Sequence, residues 1–333
     1  MTRGPALLRL AIGVAISAVF LGVTLSRVDL PKAATAMASA SPPALLAALL
    51  VVLVDLALRA LRWRVLLDGL RGGTGAPPYR LTFGYLTIGF VANAVLPARL
   101  GDVARAYLAG TAFGVSRLAI FGTILVERVS DGLTFLVLAF LSGLAVGLAS
   151  GIRDLVVFGA AIAAAGALGA AIAWLVLVRT RVGSSRLGSI AADLGARLGG
   201  GAGALRSGRS AGSVIGLTLV VATTATVVGW FVANAVGLTL TPLQTVLFVS
   251  AIALSLAIPA APGSIGTYEF VGVTVVTGLG YSAEQGLATI LLMRVLTTFP
   301  PVIAGLISLW ALQIRPAALV QSSDAAAPVQ AGR

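Results

Sequence analysis

The stretch Asn93–Arg105, "NAVLPARLGDVAR", decides the fold. It closes an apolar run that begins near residue 81, and it brings Pro97, Gly101 and three charges within a few positions. Sixteen helical residues reach about 24 Å, short of a hydrocarbon core of about 30 Å. Irregular backbone at membrane depth is tolerated only where protein or a water-filled cavity covers it. The stretch therefore predicts the tip and exit of a re-entrant hairpin, with Pro97 and Gly101 ending its helices.

A lipid setting follows from composition. The chain has 333 residues, of which 58% are hydrophobic and only 10% charged, whereas soluble domains carry about 25% charged residues. The apolar runs are continuous, without the period-two alternation of an outer-membrane barrel, so the expected class is all-α and polytopic. With no Cys and no His, disulfides, thiol nucleophiles, His-assisted acyl transfer and most transition-metal sites are excluded, and neither a metal nor a cofactor is expected. The net charge of +12 sits mostly in loops between apolar runs. That placement fits the positive-inside rule and anionic headgroups, and no nucleic-acid partner is expected.

Full-length spans are expected at 7–25, 43–60, 118–149, 155–178, 213–236 and 286–312. The first is read as a retained helix rather than a signal peptide, because Arg27, Asp29 and Lys32 intervene before the cleavage-like Ala38-Ser39-Ala40. The runs 81–96 and 243–258 are too short and stop at Pro97 and Pro259. Thr241-Pro242-Leu243-Gln244 and Ser282-Ala283-Glu284-Gln285 read as helix-starting caps. If six helices cross and the two short runs re-enter, eighteen of the 23 basic residues collect on one side and three on the other. Arg128 and Arg294 remain within apolar runs. This split puts both termini in the cytoplasm and the protein in a bacterial inner or plasma membrane. Residues 1–315 are expected as one transmembrane domain with a basic cytoplasmic loop at 179–212, and 316–333 as a disordered cytoplasmic tail.

The two breaks are alike. Pro97-Ala98-Arg99-Leu100-Gly101 and Pro259-Ala260-Ala261-Pro262-Gly263 share three of five positions. The orientation sends the first hairpin in from the cytoplasm and the second from outside. Opposed, Pro/Gly-interrupted short segments are the mark of an inverted-repeat transporter, with Pro262, Gly263 and Gly266 at the second tip.

Ionisable groups inside a bilayer cost at least about 2.5–3.5 kcal/mol each on insertion scales, so they pair or serve a pathway. Glu127 and Asp131 share a helix face, while Arg128 projects away toward another segment. Their alternatives are ligand or ion handling and a packing network with Arg99 or Arg105. Arg99 and Arg105 flank Asp102 beside Asn93, and paired guanidinium donors suit a phosphate; the alternative is a snorkelling anchor. Glu269 could cap its helix or carry a proton, cation or headgroup amine, with Arg294 as its buried partner. Asp55 and Arg59 lie four apart, and the following Arg62-Trp63-Arg64 reads as an interfacial anchor of aromatic and cationic side chains, with headgroup recruitment as the alternative.

In order, "LRWRVLL", "NAVLPARLGDVARAYLAG", "ERVSD" and "PAAPGSIGTYE" resemble the flippase-like transmembrane region of the lysylphosphatidylglycerol synthase family, over roughly residues 10–312. Where the family pattern usually has Glu, this chain has Asp102. The resemblance implies a helical bundle with re-entrant hairpins that moves a phosphate-headed lipid between leaflets. Carried over, its site residues are Asn93, Pro97, Arg99, Gly101, Asp102, Arg105, Glu127, Arg128, Asp131, Pro262, Gly263, Gly266 and Glu269. The synthases carry a soluble aminoacyl-transferase domain after this region; here residues 313–333 follow, so lipid aminoacylation is not expected.

The expected function is a lipid flippase or transporter rather than an enzyme, for a phospholipid or a polyprenyl phosphate. Its partners would be anionic or phosphate-headed membrane lipids, together with enzymes of a lipid pathway. No P-loop is present, so direct ATP hydrolysis is not expected. A membrane enzyme acting on lipid phosphates and an accessory scaffold in an envelope-lipid pathway are the alternatives.

Overall fold

The structure, a computed structural model, describes residues 4–70, 75–95, 100–146, 200–201, 203–256 and 262–314. The expected span 155–178, most of the basic loop and the tail 316–333 lie outside the described residues. Every regular element described is helical. The α-helices are α1 (Gly4–Leu25), α2 (Leu30–Ala38), α3 (Pro42–Leu70), α4 (Tyr79–Val95), α5 (Gly101–Phe113), α6 (Arg117–Ala145), α7 (Gly208–Ala235), α8 (Pro242–Ser255), α9 (Thr267–Gly278) and α10 (Ala283–Ala311). Short 3-10 turns sit at Gly203–Arg206 and Pro262–Ser264.

α3, α7 and α10 are each long and apolar enough to cross a membrane. So is the pair formed by Gly13–Leu25 and α2, which is bent by 83°. The loop expected after α1 is therefore partly helical. Asp29 Oδ1 accepts the Lys32 N–H at 3.2 Å, capping α2, and that bond holds the Asp29 carboxyl below the usual carboxylate range. At α8, Thr241 and Gln244 exchange both bonds of a capping box behind Pro242. Ser282 Oγ accepts the Gln285 N–H at 3.1 Å at the start of α10. α10 stays helical through Pro300 and Pro301.

The helices come in two matching series. α3 to α6 have 29, 17, 13 and 29 residues; α7 to α10 have 28, 14, 12 and 29. Pro42–Ala145 and Gly208–Ala311 are equally long stretches of chain. Each series is thus a long helix, a short helical pair around a break, and a second long helix.

The chain packs as two compact units, divided within α3, α6, α7 and α10 at Asp55/Leu56, Asp131/Gly132, Val221/Ala222 and Pro300/Pro301. The first unit holds α1, α2, α8 and α9, with the front of α3, the back of α6, the back of α7 and the front of α10. Its core includes Val232, Leu238, Leu247, Phe248, Val276 and Ile290. The second unit holds α4 and α5, with the complementary portions of those four helices. Its core includes Trp63, Leu66, Ile88, Ile120, Ile124 and Val214.

Candidate functional site

In the second unit, sequence neighbours become a buried charge cluster. Asn93, near the end of α4, closes the hairpin: its Oδ1 accepts the Gly101 N–H at 2.9 Å. The backbones are so close there that a Cβ on Gly101 would overlap the Gly89 carbonyl oxygen and the Asn93 nitrogen. This bond aims α5 from its first residue and fixes where Asp102 and Arg105 project. Pro97 and Arg99 lie outside the described residues.

Arg105 is buried on α5. Its Nη2 lies 2.9 Å from Glu127 Oε2 on α6, and its guanidinium carbon sits 3.5 Å from the centroid of the Trp63 ring. Trp63 is 0% exposed and donates from Nε1 to Thr123 Oγ1 at 3.0 Å. Arg62, 2% exposed, forks onto Asp131 through Nη1 and Nη2, with Nη2 to Oδ2 at 3.0 Å. It also donates to Thr218 Oγ1 at 3.2 Å, and its Nε stands 3.7 Å from Glu127 Oε1. Arg59 Nη1 approaches Asp131 to 3.9 Å. Arg128, on the other face of α6, forks onto Asp102 at 2.9 and 3.2 Å.

One expectation is corrected. Arg62 and Trp63 are not an interfacial anchor: an anchor needs its cation in water, and both side chains are buried, Arg62 against two carboxylates and Trp63 beneath Arg105. Arg64 is half-buried and donates from Nε to the Pro77 carbonyl at 2.9 Å. Asp102 forms its ion pair with Arg128, which holds both of its oxygens. The shared face of Glu127 and Asp131 is seen as expected, since both reach Arg62.

The described ion pairs join Arg59, Arg62, Arg105 and Arg128 to Asp102, Glu127 and Asp131. Not all of their donors are satisfied. Arg62 Nε and Arg105 Nε and Nη2 are buried without an aligned acceptor; the Arg105 Nη2 contact to Glu127 is close in distance but poor in angle. Buried unpaired N–H groups cost about 1–3 kcal/mol each and more on a charged group.

The first unit carries a smaller, balanced constellation. Glu269 Oε2 accepts the Gly266 N–H at 2.7 Å, and its Oε1 meets Arg294 Nη2 at 2.7 Å. Both readings of Glu269, cap and ion-pair partner, are thus present at once. Arg294 also donates to the carbonyls of Gly263 at 2.7 Å and Ser264 at 3.4 Å. Its guanidinium carbon lies 4.4 Å from the Tyr268 ring centroid. The turn it holds, opening at Pro262, has positive φ at Gly263 (76°), Ser264 (53°) and Gly266 (93°). Nearby in chain order, the two series exchange signs: the cation rides the short helix in α5–α6 and the long helix in α9–α10.

Sequence reading missed Thr218, Thr123 and Tyr268, and the Thr224 hydroxyl that donates to Asp55 at 2.7 Å. Hydroxyls in apolar helices give little signal, since they can bond their own backbone, as Thr218 also does to Val214. Among the described residues, no three acidic side chains gather as a metal site would require.

Residues 10–305 match the model of a family described as the lysylphosphatidylglycerol synthase TM region, and the chain belongs to that family. No curated protein matches it.

Proposed function

We propose that this member of the lysylphosphatidylglycerol synthase transmembrane family is a lipid flippase, moving a phosphate-headed lipid between leaflets without altering it. Membership of a lipid-related membrane family supports the class. The observation that carries the reading is the buried second-unit cluster, with the unpaired donors of Arg62 and Arg105. A phosphate diester offers one negative charge and several acceptor oxygens, which is what those guanidiniums lack.

We further read α4–α5 and α8–α9 as re-entrant hairpins. α4 has 17 residues and α8 has 14, about 25 Å and 21 Å of helix, short of a core of about 30 Å. The matched helix series, each exchanging its halves between units, supports an inverted repeat. With six spans and both termini cytoplasmic, the basic loops fall on the positive-inside face of a bacterial plasma membrane.

Purified protein in liposomes holding a fluorescent phospholipid tests this. Wild-type protein should equilibrate the label across leaflets with its mass unchanged. The double variant Arg105→Gln/Glu127→Gln, which removes both members of the pair, should slow that exchange at least ten-fold while still melting in one cooperative transition. Wild-type rates in the double variant would sink the proposed site, and a lipid of new mass would make the protein an enzyme.

A further inference from the structure

Outside the charge cluster, the second unit has an open groove where the start of α4 meets the end of α10. Two adjoining hollows of about 790 and 380 Å³ form it, both lined by Arg80 and Ala311. Apolar side chains make most of the wall, with Leu306, Trp310 and Ile314 in one hollow and Phe83 and Gly84 in the other. Thr87 and Ser308 hydroxyls bond across the two helices at 3.0 Å and fix their separation. Trp310 is 82% exposed at the end of a helix long enough to cross the bilayer.

Arg80 is exposed and has no ion-pair or hydrogen-bond partner among the described residues. It stands in the first turn of α4, which holds no acidic residue, so the positive end of the helix dipole adds to its charge. Two consecutive prolines, Pro77 and Pro78, lead into this turn, and the Pro78 carbonyl takes the Leu81 and Thr82 N–H groups. An aromatic indole beside a cation at a helix end is the pattern of a membrane–water interface.

We propose that this groove is a binding site for one anionic glycerophospholipid, its phosphate on Arg80 and an acyl chain lying along Leu306 and Trp310. Charge complementarity names the occupant. A zwitterionic lipid offers the same tail, but its ammonium would be brought beside Arg80 and the positive end of α4. The site shares no residue with the buried cluster and does not depend on the flippase reading.

Trp310 makes the site directly observable. Full-length protein is placed in vesicles of phosphatidylcholine containing brominated phosphatidylglycerol or, at equal mole fraction, brominated phosphatidylcholine. The Trp310 contribution is the difference from Trp310→Phe. Brominated phosphatidylglycerol should be enriched about five-fold at Trp310 over its mole fraction, the preference one arginine confers at an anionic surface. Arg80→Gln should abolish the preference and Arg80→Lys should largely keep it. Equal quenching by the two lipids in wild-type protein, or a preference that survives Arg80→Gln, overturns the proposal. Loss of the preference on adding inorganic phosphate would assign the site to the free anion instead. A preference that emerges only after deletion of 316–333 would make the chain's own tail the occupant.

Discussion

The guanidinium carbon of Arg105 lies over the ring of Trp63, 3.5 Å from its centroid, with both side chains buried. A cation held this way is fixed in orientation yet keeps its edge donors open. Trp63 therefore positions the arginine, and Glu127 balances it.

Truncating Trp63 should loosen Arg105 in graded fashion. Trp63→Leu removes the cation–π contact, worth about 0.5–2 kcal/mol, and the bond to Thr123, worth about 1 kcal/mol. Trp63→Phe keeps an aromatic face and loses chiefly the bond. Melting in detergent should rank wild type above Phe above Leu, and equal values for the two variants would remove the stacking role.

Glu127→Gln alone should destabilise by about 3–5 kcal/mol, because it strands Arg105 and strains the balance at Arg62. Adding Arg105→Gln should restore much of that loss. A thermodynamic cycle on the melting free energies measures the coupling; additive effects would show that the pair acts separately despite its 2.9 Å contact.

Arg294→Lys should loosen the second hairpin turn while preserving net charge. A lysine can meet Glu269, but one ammonium does not reproduce the planar fork that also serves the Gly263 and Ser264 carbonyls. Amide exchange across 263–268 should rise about 5- to 150-fold, matching a local loss of about 1–3 kcal/mol. Unchanged exchange there would show that the turn holds itself.

Gly266→Ala should be far more damaging than Gly263→Ala. Both glycines have positive φ, which costs Ala on the order of 1 kcal/mol or more. Only at Gly266 would the added Cβ also overlap the Ser17 carbonyl oxygen, for about 1–3 kcal/mol further. Comparable folded yields for the two variants would contradict this packing.

The breaks in the helices were legible because proline, glycine and charge have large local effects: α4 ends at Val95 and α8 at Ser255, close to Pro97 and Pro259. The Glu269–Arg294 pair was legible for a related reason, since two lone charges in apolar helices have few places to go. Arg62 and Trp63 misled because a cation beside an indole at a helix end has the same local pattern at an interface as in a core. Only the position of α6, which brings Glu127 and Asp131 to Arg62, separates the two. The match between the two helix series was faint in residues and plain in lengths, which only the structure displays.

α1 stands outside the two matching series and packs on a member of the second. Phe20 rests on Phe270 with ring centroids 4.7 Å apart, and Ser17 backs directly onto Gly266 at the start of α9. α9 is thus braced from outside its own series, so what its first turn can carry is set by α1 as well as by the turn itself.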